Sequence, residues 1–277
     1  MSTPESEPLE GRTAIVTGGA GGIGTGISVR LAKEGANVVI AQRSRDRGEK
    51  VAERIRELGR GALFVETDLG DDDDIVALAD AAREEFGGAE IIVNTATHPG
   101  KESAAEMSRD LWEEVLSVTL TAPFRLAQEC YPDMQEAGYG RIINIGAIQA
   151  QSPYAGSVAY AASKAGLEGL TRSLAVEWGD DRDSDITVNT VHVGVTPKGY
   201  NWDDYDAPLE VANDMISKES DDGDAPTLVG RKGRPSDHAA ITAFLASPEG
   251  GFFTGQVLNS AGGRLISRYP ASQSHFD

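Results

Sequence analysis

From Arg12 onward the chain alternates between short apolar runs rich in β-branched residues and longer segments whose apolar positions follow a helical spacing. The runs are 12–17 (RTAIVT), 37–41 (NVVIA), 61–66 (GALFVE), 90–95 (EIIVNT), 141–145 (RIINI), 185–191 (DITVNTV) and 255–259 (GQVLN). Apolar side chains on successive residues suit strands covered on both faces, the condition of a parallel sheet. Segments 23–34, 45–58, 71–86, 110–135, 158–178 and 235–245 read as the helices between them. Strand and helix in strict alternation make βαβ units with right-handed crossovers. The pattern therefore predicts one α/β domain over 11–266: a doubly wound parallel sheet with helices on both faces, between an acidic tail at 1–10 and a second tail at 267–277. One stretch breaks the alternation. Residues 196–233 are acidic, carry Tyr200, Trp202 and Tyr205, and are punctuated by Pro197, Pro208 and Pro226. That length exceeds an ordinary turn and reads as a substrate loop or lid.

Charge narrows the partners. The chain has 44 acidic against 25 basic residues, a formal net charge of -19, which argues against nucleic acid. Only seven of the basic residues are lysines, at 33, 50, 101, 164, 198, 218 and 232. An acidic, lysine-poor surface suits concentrated salt, where screening removes most of the repulsion between carboxylates, so a halophilic protein is expected. Cys130 is the only cysteine, which excludes an intrachain disulfide and a Cys-based zinc site and fits a reducing cytoplasm. No run approaches the roughly 18 apolar residues of a membrane span, and the N-terminal residues lack an apolar core of a signal peptide. A cytoplasmic protein with no membrane partner is expected.

The first strand runs into Thr17-Gly18-Gly19-Ala20-Gly21-Gly22-Ile23-Gly24, followed at once by a helix. Glycines let the chain turn sharply and let a pyrophosphate reach backbone N–H groups, while the helix start adds orphan donors and a positive dipole end. The spacing of Gly18, Gly22 and Gly24 resembles the TGxxxGxG signature of the short-chain dehydrogenase/reductase (SDR) family, and the resemblance extends from Arg12 to Gly263 with motifs in the family's order. It implies a Rossmann-type domain that binds a nicotinamide dinucleotide through Gly18, Gly21, Gly22, Ile23 and Gly24. The second strand ends Ala41-Gln42-Arg43. An acid there would grip the ribose of NAD, whereas Arg43 can grip a 2'-phosphate, so NADP(H) is expected over NAD(H). The resemblance makes Asp68 and Leu69 adenine contacts. Asn94 and Ala96 match the family's NNAG, while Thr95 and Thr97 depart from it. The acids at 71–74 read as a helix start rather than a metal site.

Tyr160-Ala161-Ala162-Ser163-Lys164 matches the family's YxxxK. Four residues apart, both side chains share one helical face, and an ammonium near a phenol favours the phenolate. The resemblance implies that Tyr160 exchanges a proton with the substrate oxygen and that Lys164 also holds the nicotinamide ribose. Two further positions depart from the family. Ala147 stands thirteen residues before Tyr160, where a serine is usual, and Thr119 stands where an asparagine is usual. Three readings stay open: a Ser-to-Ala change made in the laboratory, a natural enzyme with another donor such as Gln149 or Ser152, or a dinucleotide-binding protein with little catalysis. Asn189 and Gly194 resemble VNxxxPG with Val193 in place of the proline, and His192 reads as a packed residue. The activity implied is the interconversion of a small-molecule ketone and a secondary alcohol, a sugar or polyol derivative among the candidates. The resemblance also implies a homotetramer paired through helices 110–135 and 158–178.

Overall fold

A computed structural model describes residues 7–179, 184–196 and 227–266. Its strands are β1 (Thr13–Thr17), β2 (Asn37–Gln42), β3 (Ala62–Glu66), β4 (Ile91–Asn94), β5 (Tyr139–Ala147), β6 (Asp185–Val193) and β7 (Val257–Ser260). They form one sheet in the order β3-β2-β1-β4-β5-β6-β7, with every neighbouring pair parallel. The helices are α1 (Gly22–Lys33), α2 (Arg45–Glu57), α3 (Asp72–Phe86), α4 (Arg109–Leu116), α5 (Ala122–Ala137), α6 (Val158–Gly179) and α7 (Pro235–Ala246). The doubly wound Rossmann-type sheet read from the sequence is the fold observed.

Two apolar layers cover the sheet. On one face Ile27, Leu31, Val51, Ile55, Ala239 and Leu245 of α1, α2 and α7 pack on Val16, Ile40 and Ile145. On the other, Ile75, Leu78, Leu126, Cys130, Leu174 and Trp178 of α3, α5 and α6 pack on Ile15, Ile92 and Ile142. Strands β1 and β4 lie side by side, so the crossovers leave in opposite directions there and open a crevice at the strand ends, where ligands of such sheets bind.

Three boundaries differ from the sequence reading. Segment 110–135 is not one regular helix: α4 and α5 are joined by a π-helical turn, Ser117–Thr121. Pro123 has no N–H for the Thr119 carbonyl and its ring would crowd that carbonyl, so the widened turn relieves the conflict. Strand β5 is longer than 141–145 because β6 pairs with it along its full length, from Tyr139 with Asp185 to Ala147 with Val193. Residues 7–10 are not loose. Leu9 is fully buried and its N–H donates to the Glu34 carbonyl at 2.9 Å, closing the apolar layer beside α1. The rest of the two tails, and Tyr200, Trp202 and Tyr205 of the acidic loop, lie outside the described residues. The returning end of that loop is tied down: Leu228 N–H donates to the Gly262 carbonyl at 2.8 Å and Gly233 N–H to the Val195 carbonyl at 2.9 Å.

Candidate active site

The chain leaves β1 at Thr17 and turns at Gly18, whose φ of +64° belongs to the left-handed region and whose Cβ would lie 3.0 Å from the Ala96 backbone. Gly18 N–H donates to the Ala41 carbonyl and Gly21 N–H to the Gly18 carbonyl, both at 2.8 Å. A Cβ on Gly24 would lie 2.1 Å from the Gly18 carbonyl oxygen, so only glycine lets α1 start this close to β1. Gly21 is the N-cap of α1, and no side chain caps the helix. The start of α1 thus offers backbone amides and a positive dipole end to an anion, and Ile23 anchors it in the core.

At the ends of β2 and β3 a hollow of about 250 Å³ is lined by Gly18, Gln42, Arg43, Asp68, Leu69 and Ala96. Arg43 is exposed and has no ion-pair partner among the described residues, whereas Arg45 is paired with Glu66 at 3.0 Å. Asp68 shapes the turn into α3, accepting from Gly70 N–H at 2.9 Å. Asp71 is the N-cap of α3 and accepts from Asp73 N–H at 2.9 Å, the role the acidic run suggested.

A larger cleft of about 750 Å³ runs from Gly18, Gly22 and Gly24 to Tyr160 and Lys164, past Thr97, Ala147, Gln149 and Gly194. Tyr160 and Lys164 lie one turn apart at the start of α6, the Lys164 ammonium 5.8 Å from the Tyr160 ring centre. Lys164 is buried and donates to the Ile145 carbonyl at 2.6 Å. Burial lowers its pKa to about 7. The Tyr160 phenol is instead pushed up, chiefly by burial, with the nearby Thr97 hydroxyl acting against it. The sequence expectation that Lys164 draws Tyr160 downward is therefore corrected for the chain alone: desolvation acts on both groups and disfavours the charged form of each. Ala147 ends β5 against the cleft without a hydroxyl to offer. Of the two donors considered in its place, Gln149 lines the cleft, while Ser152 is exposed and does not.

Asn94 lies apart from both hollows. Buried within the sheet, its side-chain amide donates to Asn144 Oδ1 at 2.9 Å, and Asn144 donates in turn to Thr171 at 3.0 Å. Thr119 is fully buried in the π turn, where its hydroxyl accepts from His98 N–H at 3.2 Å and lies 3.3 Å from the Thr97 hydroxyl. His192 is packed, as read, with Nε2 2.8 Å from Glu168 Oε1. Several cleft residues, Arg47 and Thr97 among them, had no role in the sequence reading. Arg47, one turn into α2, could have been noticed from its spacing to Arg43; the placing of Thr97 in the same cleft as Tyr160 had no sequence signal, because the segment after β4 and α6 come together only in the fold.

The comparisons agree with this geometry. Residues 12–205 match the model of the short chain dehydrogenase family. The chain is 33% identical over 262 residues to the 3-oxoacyl-(acyl-carrier-protein) reductase FabG of Vibrio cholerae, covering 93% of this chain and 99% of that protein. It is 34% identical to the cis-4-hydroxycyclohexanecarboxylate dehydrogenase of Sinomonas cyclohexanicum, covering 93% and 98%. It also superposes on a blue fluorescent protein from a metagenomic library, solved in complex with NADPH, with a TM-score of 0.79 at 31% identity over 93% of this chain and 99% of that one. This chain belongs to the short-chain dehydrogenase/reductase family and is an oxidoreductase of that family.

The site fits a nicotinamide dinucleotide on its own observations. The turn that starts α1 against β1 is possible only with glycine at Gly24, the α1 start lacks a side-chain cap, and the buried Lys164 ammonium, held by the Ile145 carbonyl, borders the same cleft and can reach ribose hydroxyls.

Proposed function

We propose that this chain is an NADP(H)-dependent oxidoreductase, binding NAD(H) less tightly, that interconverts a small-molecule ketone and the corresponding secondary alcohol. The observation that carries the reading is one continuous cleft joining the glycine turn to Tyr160 and Lys164. When bound, the dinucleotide supplies or accepts the hydride. Gly18, Gly21, Gly22, Ile23 and Gly24 would hold its pyrophosphate, Asp68, Leu69 and Ala96 its adenosine end, and Gly194 would border its nicotinamide end. Arg43 and Arg47 would take the 2'-phosphate by charge-assisted hydrogen bonds. Tyr160 delivers its phenolic proton to the carbonyl oxygen during reduction and takes it back during oxidation. Lys164 fixes the ribose and, once its ammonium is partnered, supports the phenolate. Gln149, which lines the cleft, would hold the substrate oxygen in the absence of a serine at 147. The two named relatives act, by their names, on an oxoacyl and on a hydroxycycloalkane substrate, which is the same bond interconversion.

A panel of ketones and secondary alcohols, run in high and low salt with NADPH, NADH and their oxidised forms, tests this. Turnover should appear with NADPH first, and Tyr160→Phe should abolish it while leaving dinucleotide affinity nearly unchanged. Full activity in Tyr160→Phe would refute the mechanism. Ala147 and Thr119 favour one other reading, a dinucleotide-binding protein with little catalysis; tight NADP(H) binding with no turnover across the panel would select it. A homotetramer paired through α5 and α6 is proposed as well, supported by Phe124 and Val176, which are 36% and 75% exposed on those helices. Light scattering that gave a monomer would refute that part.

A further inference from the structure

The charge of the cleft runs against the charge of the chain. Acids are 44 of the 277 residues and outnumber the 25 lysines and arginines, yet the described residues that line the cleft include Arg47, Lys101 and Lys164 and no aspartate or glutamate. A cleft walled by one sign of charge focuses field lines and draws in ions of the other sign. In the reading above the dinucleotide occupies two of these cations, Arg47 at the 2'-phosphate and Lys164 at the ribose. Lys101 is left over. We propose that Lys101 is a specificity residue and that the substrate is an oxo acid, or the hydroxy acid it interconverts with, whose carboxylate Lys101 holds while its ketone or alcohol meets Tyr160. The inference rests on the oxidoreductase reading and names a substrate class for it.

The backbone places Lys101 at the substrate end of the cleft. The segment after β4 is joined to the segment before α6 by a parallel bridge between Glu102 and Ser157, and Glu102 N–H donates to the Gly156 carbonyl at 3.2 Å. Ala161 N–H donates to the Ser157 carbonyl at 2.8 Å, so Ser157 opens the turn of α6 that carries Tyr160. Bridged strands lie about 5 Å apart and a helix rises about 1.5 Å per residue, which puts Lys101, next to the bridge, within a small molecule's length of the phenol. The phosphates belong instead at the start of α1, beyond the end of β1.

The lysine is also available. It is exposed and has no ion-pair partner among the described residues. The acids nearest to it in the chain are engaged elsewhere: Glu102 accepts from Ser103 N–H at 2.8 Å, Glu106 from the Ser103 hydroxyl at 3.1 Å, and neither lines the cleft. Tyr154 does line it, on a turn that Ser157 closes by donating to the Tyr154 carbonyl at 2.7 Å, and can add a phenol donor. One point charge on a flexible stem, helped by neutral donors, suits a single negative charge. A phosphate monoester carries nearly two at neutral pH and would leave one unmatched, so a carboxylate is the better fit.

The test compares acetoacetate, levulinate and the next homologue with their methyl esters, on the full chain with NADPH at one fixed salt. The ester keeps the ketone and removes the charge. The parent should favour at least one acid over its ester by about tenfold or more in kcat/KM, the difference lying in KM, because the ion pair is made in the ground state as well as the transition state. Lys101→Met should bring that ratio close to one, Lys101→Arg should keep it, and Lys101→Glu should invert it. A second readout needs no turnover: calorimetric binding of butanoate against butanamide to the NADP-loaded protein, where Lys101→Met should again remove the preference for the anion. Turnover of acids and esters alike, or a ratio that Lys101→Met leaves as it was, overturns the proposal and leaves the oxidoreductase reading standing. Preference for a phosphate ester of the same ketones over every acid overturns it too. A preference for butanoate that depends on Lys101, in a protein that turns over no ketone or alcohol, upholds the anion site and removes the oxidoreductase reading instead.

Discussion

Lys164 is the residue where function and stability pull hardest against each other, and Lys164→Met measures the conflict. The ammonium is 2% exposed, and burial lowers its pKa from 10.5 to about 7. At about 1.4 kcal/mol per pKa unit, that displacement corresponds to a cost on the order of 5 kcal/mol for keeping the charge in the folded chain. The hydrogen bond to the Ile145 carbonyl is replaced by water in the unfolded chain, and losing it offsets roughly 2 kcal/mol of the gain. Methionine fills a similar volume without a charge, so Lys164→Met should stabilise the dinucleotide-free protein by roughly 2–3 kcal/mol near neutral pH while abolishing turnover.

The pH dependence identifies the cause. Below about 7 the lysine is protonated in both states, and its cost is present in full. Between about 7 and 10.5 the unfolded chain binds a proton that the folded chain lacks, so the parent protein gains stability from this group as pH rises. The advantage of Lys164→Met should therefore be largest near pH 6 and shrink steadily toward pH 10. Thermal unfolding of both proteins at fixed salt across that range, without dinucleotide, gives the difference directly and cancels every other titrating group. A variant no more stable than the parent near pH 6, or a difference that does not change with pH, would refute the reasoning.

Three further outcomes follow from the same geometry. Ala147→Ser should raise kcat by on the order of a hundredfold if a serine donor is what the site lacks, and by little if Gln149 serves; steady-state kinetics of Ala147→Ser beside Gln149→Ala decide between them. Arg43→Ala should weaken NADP(H) binding by roughly tenfold or more in calorimetry and leave NAD(H) nearly unchanged, because only the former offers the 2'-phosphate; equal losses for both would remove Arg43 from that role. Gly146→Ala should destabilise the fold by roughly 1–3 kcal/mol, because its Cβ would lie 2.1 Å from His192 Nδ1, and His192→Ala should relieve the damage in the double variant; additive losses in chemical denaturation would contradict this contact.

The sheet was readable because each strand is a near-unbroken apolar run and most connections are single helices of ordinary length. The glycine turn, Tyr160 and Lys164 were readable because their chemistry demands fixed residues at fixed spacing. What escaped was set by tertiary contact. The π turn depends on how Pro123 meets the Thr119 carbonyl, the burial of Leu9 on a layer formed by α1 and α2, and the meeting of Thr97 and Tyr160 in one cleft on how the segment after β4 lies beside α6. Asn94 matched a motif, yet its side chain is spent on Asn144 inside the sheet, where a strand residue pointing away from the crevice has to find a partner. The direction of the Tyr160 and Lys164 shifts also depended on burial, which spacing does not report.

The inner face of α6 gives these separate facts a common cause. A helix against a sheet is usually seated by apolar residues, which tolerate small rotations. Here the successive inward positions Lys164, Glu168 and Thr171 are polar, and each bonds to a different part of β5 or β6: the Ile145 carbonyl at 2.6 Å, His192 at 2.8 Å, and both Asn144 at 3.0 Å and Thr190 at 2.7 Å. Hydrogen bonds are directional, so these four, from three residues over about two turns, fix the rotation and the height of α6 on the sheet more tightly than packing alone. Tyr160 sits one turn before the first. Gly146 belongs to the same device, since its missing side chain is what admits the His192 ring beside Glu168. The large ring on β6 and the glycine on β5 complement each other in space as register partners, although they are 46 positions apart in the chain. The effect is to fix where Tyr160 enters the cleft, at the end of the sheet where Ala147 offers no hydroxyl.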